Sequence, residues 1–215
     1  MKGSHMKLIK TILMGAALML AFSSQAAQFQ EGQHYKVLAN PTMARDASKV
    51  EVVEVFWYGC GHCNHFEPTV QAWKKSVQAD VDFYQLPAQF SRQWKVHAEL
   101  FYLTHALKVN DKVHQAIFDQ IHKKRNPLLN KDDQKEFLAG YGVSEADFDK
   151  YDDSFGVRRQ LKMADQMVRN YAISGVPAII VNGKYVVNAS SAGGMDKIFG
   201  VVNFLIEKER KTLKK

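Results

Sequence analysis

The sequence predicts an α/β fold that carries an all-helical insertion domain. Three observations predict it. Val50–Trp57 (VEVVEVFW) is a β-branched and aromatic run, apolar on both alternating faces except at Glu51 and Glu54, as in a central strand covered on both sides. From Ser91 to Tyr171 the apolar residues recur at helical spacing instead. Ala178–Asn182 (AIIVN) then returns to strand, so sheet elements flank the helical block and should meet around it.

The elements follow in order. Met1–Met6 looks partly like the remnant of an expression tag, with a second start at Met6. Lys7–Lys10 is basic, Thr11–Phe22 is a nearly all-apolar run, and Ser24-Gln25-Ala26 offers small residues for a signal peptidase. That order is the signature of a secretory signal peptide, with cleavage expected after Ala26. As a helix, the apolar run of about twelve residues would rise only about 18 Å, too short for a bilayer core of about 30 Å. A short edge strand is expected near Tyr35–Leu38. Asn64–Val77 has Phe66, Val70, Trp73 and Val77 at helical offsets, with Pro68 expected to kink the helix or mark its first turns. Val81–Leu86 is a second strand.

Within the helical block, Arg92–Leu107, the stretch around Val113, Ala116, Ile117 and Ile121, and Arg158–Tyr171 carry the clearest periodicity. Ser144-Glu145-Ala146-Asp147 is a helix-start signature. Asn182-Gly183 is a hairpin signal between Ala178–Asn182 and Lys184–Val187. Gly193 and Gly194 open a last helix with Ile198, Val201, Val202 and Leu205 on one face.

Composition narrows the function. The chain has 215 residues, 46% hydrophobic and 24% charged, enough apolar material for a core. Its formal charge of +7 includes Lys2, Lys7 and Lys10, so cleavage after Ala26 leaves +4. The remaining basic residues are scattered, which speaks against a nucleic-acid partner. Only two cysteines are present, Cys60 and Cys63. They can build neither a multi-bridge scaffold nor a four-cysteine metal site.

In an exported chain, disulfides persist. A bond between Cys60 and Cys63 would close so short a loop that it removes little entropy from the unfolded state. A chemical role therefore needs weighing. The motif Cys60-Gly61-His62-Cys63 follows a buried strand and opens a helix, which puts Cys60 at the helix N-terminus, where unpaired N–H groups and the helix dipole favour a thiolate. His62 adds a positive or hydrogen-bonding neighbour, and Cys63 is expected to be more buried, as the resolving thiol. Other readings are weaker on chemical grounds. A c-type haem site needs histidine at 64, which is Asn64. A zinc site from Cys60, Cys63 and His62 or His65 lacks a clear fourth ligand. An inert disulfide has weak entropic value over so short a loop, and two unrelated buried cysteines are not expected at this spacing just after a strand.

The motif after Glu54-Val55-Phe56-Trp57, together with Gly175-Val176-Pro177-Ala178 before a later strand, resembles the thioredoxin superfamily. The helical insertion and signal peptide are similar to its bacterial periplasmic branch, the DsbA thiol:disulfide oxidoreductases. The resemblance implies a thioredoxin-like fold divided as 1–26 (tag remnant and signal peptide), 27–90 (first part), 91–171 (helical insertion) and 172–215 (second part). It implies Cys60 as the attacking cysteine, Cys63 as its buried partner, Gly61-His62 as the active-site dipeptide, and Val176-Pro177 as a cis-proline turn that binds substrate by strand addition.

It also places the family's buried acid at Glu54, as a proton acceptor for Cys63; the alternative is an outward-facing glutamate. Glu67 matches a second family acid, although a helix glutamate is expected to be solvated. The family is known for a low-pKa, strongly oxidising pair. Its common dipeptide is Pro-His, so Gly61 is a departure, and a less oxidising pair is expected. Trp57, Tyr58 and Phe66 are candidate contacts for unfolded chains, with core packing expected for at least two.

The implied activity is donation of the Cys60–Cys63 disulfide to newly exported proteins in the periplasm, by a monomer with no cofactor and no metal, reoxidised by a membrane quinone-linked reductase of the DsbB type. The alternatives are a disulfide isomerase or reductase, and a peptide-binding, chaperone-like module. Asn188-Ala189-Ser190 fits a glycosylation pattern by chance.

Overall fold

The computed structural model describes residues 29–213, so the expected tag remnant and signal peptide lie outside the described residues. Among the described residues, five strands form one sheet: β1 Lys36–Val37, β2 Val50–Phe56, β3 Val81–Pro87, β4 Ala178–Val181 and β5 Tyr185–Val187, in the order β1-β5-β4-β2-β3. β2 runs parallel to β3, with Glu54 opposite Gln85, and antiparallel to β4, with Val53 opposite Ile180. Every residue of β2 is buried, so both of its faces are covered, as its near-continuous apolar pattern requires.

The helices are α1 Gly61–Ser76, α2 Arg92–Ala106, α3 Asn110–His122, α4 Lys131–Ala139, α5 Glu145–Tyr151, α6 Phe155–Asn170, α7 Ala189–Ala192 and α8 Ile198–Leu213. The five from α2 to α6 lie between β3 and β4 in the chain, which is the predicted helical insertion.

Alternation along β2 sorts the core. Val53 and Val55 point with Leu86, Ile180 and Val186 toward Ala164, Val168 and Tyr171 at the end of α6. Phe56 points the other way, into a cluster of Tyr58, Cys63, Phe101, Val113, Ile117 and Phe118 that joins the motif to the insertion. Glu54 is two residues from Phe56 and shares its face. Trp73 of α1 stacks on Phe199 of α8 with ring centroids 4.5 Å apart, and its indole N–H donates to Asn203 at 2.8 Å.

Local chemistry sets the boundaries. Asn182 (φ 51°) and Gly183 (φ 61°) form the tight hairpin turn that the dipeptide signals. Ser144 caps α5, accepting from the Asp147 N–H at 3.1 Å. Asn188 caps α7 by accepting from the Ser191 N–H at 2.9 Å, so its side chain is engaged in the fold. Gly193, at φ 80°, ends that short helix, and a 3-10 turn at Met195–Lys197 leads into α8. α1 begins at Gly61 with the sulfur of Cys60 as its capping acceptor, so Cys60 stands at the helix N-terminus as the motif predicts, three residues ahead of the first apolar periodicity at Asn64.

Candidate active site

The site begins where β2 ends. A few residues after Phe56, the extended backbone of Cys60 (φ −83°, ψ 115°) caps α1, and its Sγ accepts from the Cys63 N–H at 3.2 Å. A cysteine in this position faces the unpaired donors of the first helical turn. Cys60 is half-buried and Cys63 is buried. The hydrogen bond from the Cys63 side chain, opposed by burial and assisted by the N–H groups of Cys63 and His62 and by the His62 charge, brings Cys60 down to about 6. Burial, followed by the bond to Cys60 and the charge on it, pushes the Cys63 thiol far up. One sulfur is thus suited to be a thiolate near neutrality and the other to hold its proton.

The predicted residues meet here. Gly61 and His62 are exposed in the first turn of α1. The Val176–Pro177 peptide is cis, and the Cys60 thiol donates toward the Val176 carbonyl at 3.6 Å across 116 residues of sequence. His62, Val176 and Pro177 line a groove of about 540 Å³ that also takes in Ile173, Ser190 and Met195. A larger cavity of about 950 Å³, between β3, α2 and α6, contains neither cysteine.

Glu54 is completely buried. Its Oε2 accepts from Gln85 Nε2 at 2.8 Å, and its Oε1 has no hydrogen-bond partner. Burial first, then the neighbouring Glu67 charge, raise its carboxyl to about 8, against the opposing bond from Gln85. Its charge is felt at Cys63.

The structure corrects the expectation for Glu67. It is 1% exposed, and it accepts from Gln71 and from Gln85. The reason is helical phase: Cys63, Glu67 and Val70 fall at offsets of four and three on one face of α1, and that face is covered. Tyr58 and Phe66 are core residues at 1% exposure, leaving Trp57 the only partly exposed member of the three candidate aromatics.

Sequence reasoning missed three participants. Gln85 reaches both glutamates from β3. His114 lies with Nδ1 2.8 Å from the Tyr58 hydroxyl and Nε2 3.3 Å from Glu67. His122 Nε2 meets the Tyr58 carbonyl at 2.8 Å, pinning the turn before Cys60 to the insertion. In the same turn the Trp57 indole stacks on Trp94 at 4.2 Å, and a Cβ on Gly59 would sit 2.3 Å from that indole. No cluster of three or more His, Cys, Asp or Glu among the described residues is arranged to hold a metal ion.

Comparison with known proteins agrees with this geometry. The family model described as a DSBA-like thioredoxin domain matches residues 78–200. The chain is 38% identical over 208 residues to the thiol:disulfide interchange protein DsbA of Pseudomonas aeruginosa, covering 97% of this chain and 99% of the relative. It is 40% identical over 209 residues to the DsbA of Azotobacter vinelandii, covering 95% and 98%. The crystal structure of Pseudomonas aeruginosa DsbA superposes with a TM-score of 0.84 at 39% identity, covering 88% of this chain and 99% of that one.

Proposed function

The chain belongs to the DsbA family and is a thiol:disulfide oxidoreductase, and from that premise we propose how its residues divide the work. The Cys60–Cys63 disulfide is donated to newly exported proteins. A substrate thiolate attacks Cys60 Sγ. The Cys60–Cys63 bond breaks, and its electron pair leaves on Cys63 Sγ, which takes a proton from the Glu54 carboxyl. A second substrate thiolate attacks the substrate sulfur of the mixed disulfide and releases Cys60 as a thiolate. The substrate loses two electrons and the cysteine pair gains them.

The observation that carries this division is the contrast between the two sulfurs. Cys60 is half-exposed and lowered to about 6, which makes it a good leaving group, while Cys63 is buried and far above its ordinary value. His62 supports the Cys60 thiolate by its charge and its backbone N–H. Val176, whose carbonyl lies 3.6 Å from Cys60 Sγ, and Pro177 line the groove and present backbone to an extended substrate segment.

The protein works as a monomer in the periplasm without a cofactor. Turnover uses a membrane quinone-linked reoxidant of the DsbB type. The division at residues 90/91 and 171/172 separates the thioredoxin-like parts from the insertion. Replacing Cys60 by Ser tests the assignment: oxidation of a reduced secreted substrate should stop, and a variant that still oxidises it would overturn the role given to Cys60.

A further inference from the structure

Two carboxylates, Glu54 and Glu67, are buried side by side beneath the motif, and neither has a lysine or arginine partner among the described residues. Two such groups cannot both be ionised cheaply in a dry site, so the pair is suited to holding a single proton. Hydrogen-bond counting says where that proton belongs. Glu67 accepts from two amides, Gln71 and Gln85, and His114 Nε2 lies 3.3 Å from it. Glu54 has one, from Gln85, and its Oε1 has none. Donors favour the anion, so the charge belongs on Glu67 and the proton on Glu54.

His114 decides the balance, because its own hydrogens are constrained from both sides. It is 5% exposed on α3. The buried Tyr58 hydroxyl, 2.8 Å from Nδ1, is pushed well above its ordinary value by burial and then by the Glu67 charge, so it stays a donor. A proton on Nδ1 would leave that hydroxyl hydrogen without its acceptor. On the other side, Gln85 Nε2 lies 3.0 Å from His114 Nε2, but its two hydrogens are taken by Glu54 and Glu67. With Nδ1 bare as the acceptor of the Tyr58 hydroxyl, the one hydrogen of the neutral ring falls on Nε2. The acceptor within reach is Glu67 Oε1, at 3.3 Å. On α2, the neighbouring His105 is lowered chiefly by burial.

We propose that His114, supplied by the helical insertion, is a positioning residue for disulfide exchange: its Nε2–H holds Glu67 as the anion, so that the single proton of the buried pair stays on Glu54 for the departing Cys63 sulfur. The inference rests on the exchange reaction given above. It adds that the insertion completes the proton inventory of the thioredoxin-like part.

The test uses the mature protein labelled with ¹³C at the glutamate carboxyls and ¹⁵N at histidine. In the unaltered protein, the carboxyl signal that disappears in Glu54→Gln should carry the pair's titration from neutral to alkaline pH. His114 should show a protonated Nε2 and a bare Nδ1 near neutrality. An imidazolium or the opposite tautomer overturns the proposal without any variant having to fold. In His114→Leu the titration should spread over Glu54 and Glu67. The rate of mixed-disulfide formation with a dithiol peptide near neutrality should fall about twofold or more, since an equal share halves the protonated fraction of Glu54. His114→Gln, which retains a donor and an acceptor, should restore both. A Glu54 signal that keeps the whole titration in His114→Leu overturns it. Failure of the exchange assignment is separately visible: the unaltered protein would then not oxidise the peptide, whatever the carboxyls do.

Discussion

Gln85 and Glu54 lie directly opposite in the parallel β2–β3 ladder, and the Gln85 amide, 2.8 Å from Glu54 and 3.1 Å from Glu67, ties two buried carboxylates through one neutral side chain. A cation at this place would favour ionisation of both acids; the amide satisfies lone pairs without supplying charge. Glu54 therefore keeps its proton near neutrality, and the consequences can be measured.

Stability should fall as pH rises between 4.5 and about 8. In that window the unfolded chain has shed the Glu54 proton and the folded chain still holds it, so raising the pH costs the folded state. The full contribution is present below 4.5 and is lost through about 8. Urea unfolding of the dithiol form should show a decline on the order of a few kcal/mol, since each tenfold difference in proton affinity between the folded and unfolded chain is worth about 1.4 kcal/mol. Glu54→Gln should flatten it. An equal decline in the variant would assign the dependence to other groups.

Cys60 should titrate near 6, read as the growth of thiolate ultraviolet absorbance in the dithiol form, with no thiolate from Cys63 in the neutral range. The lowering of Cys60 has a stability sign. A lowered thiol stabilises the folded dithiol above the ordinary value of 9.0, and that contribution is lost as pH falls through about 6. His62→Ala should move the Cys60 inflection upward, since it removes a charge but leaves the backbone N–H.

Gly61→Pro should make the pair more oxidising. Gly61 is the first helical residue, where proline's fixed φ fits and its missing N–H is least costly. Cys60 before it is already extended, as a residue preceding proline prefers, and a Cβ at Gly61 meets nothing within 4 Å. The N–H groups that lower Cys60 belong to His62 and Cys63, so none is lost. The Cys60–Cys63 bond already holds the helix start in the disulfide form, so ordering by proline favours the dithiol form, and a difference of about 0.4–1 kcal/mol corresponds to roughly 10–20 mV. Equilibration with glutathione measures it, and a more reducing potential would contradict the argument.

Gly59→Ala should displace the Trp57 indole from its stack on Trp94, since the new Cβ would lie 2.3 Å from the ring. The expected signs are altered tryptophan fluorescence and near-ultraviolet circular dichroism, together with a loss of stability on the order of 1–3 kcal/mol. Unchanged spectra would show that the turn adjusts by another route.

Much of this architecture was legible in the sequence because it rests on periodicity. β2, β3, the hairpin and the helical insertion all emerged from spacing and turn chemistry. The apolar periodicity of α1 shows only from Asn64, but the place of the motif after a buried strand puts the helix start at Cys60, where the cap is a sulfur rather than the usual Ser, Thr, Asp or Asn. Glu67 shares the buried stripe of Cys63 and Val70, so helical phase overrides the solvated setting that its residue type favours. His114 precedes Ile117 and Phe118 by three and four positions, so its burial had a signal, but its partners did not. Gln85 meets Glu54 only through strand register, and Tyr58 meets His114 across 56 residues. Such pairings belong to tertiary structure and leave no local trace.

The pairing of Val53 with Ile180 has a further consequence, for the order of events in the life of the chain. β2 leads into the cysteines, yet its antiparallel neighbour follows the entire insertion. A chain that ends before Val176 contains both cysteines and neither half of the groove contributed by Val176 and Pro177. α1 draws most of its stability from packing its buried face, so until that face is covered its N–H groups are not yet fixed around the sulfur. Closing the sheet is a long-range, intrinsically slow event. The nascent polypeptide therefore crosses its earliest stages with two ordinary thiols, and acquires reactive ones only when its last strands arrive.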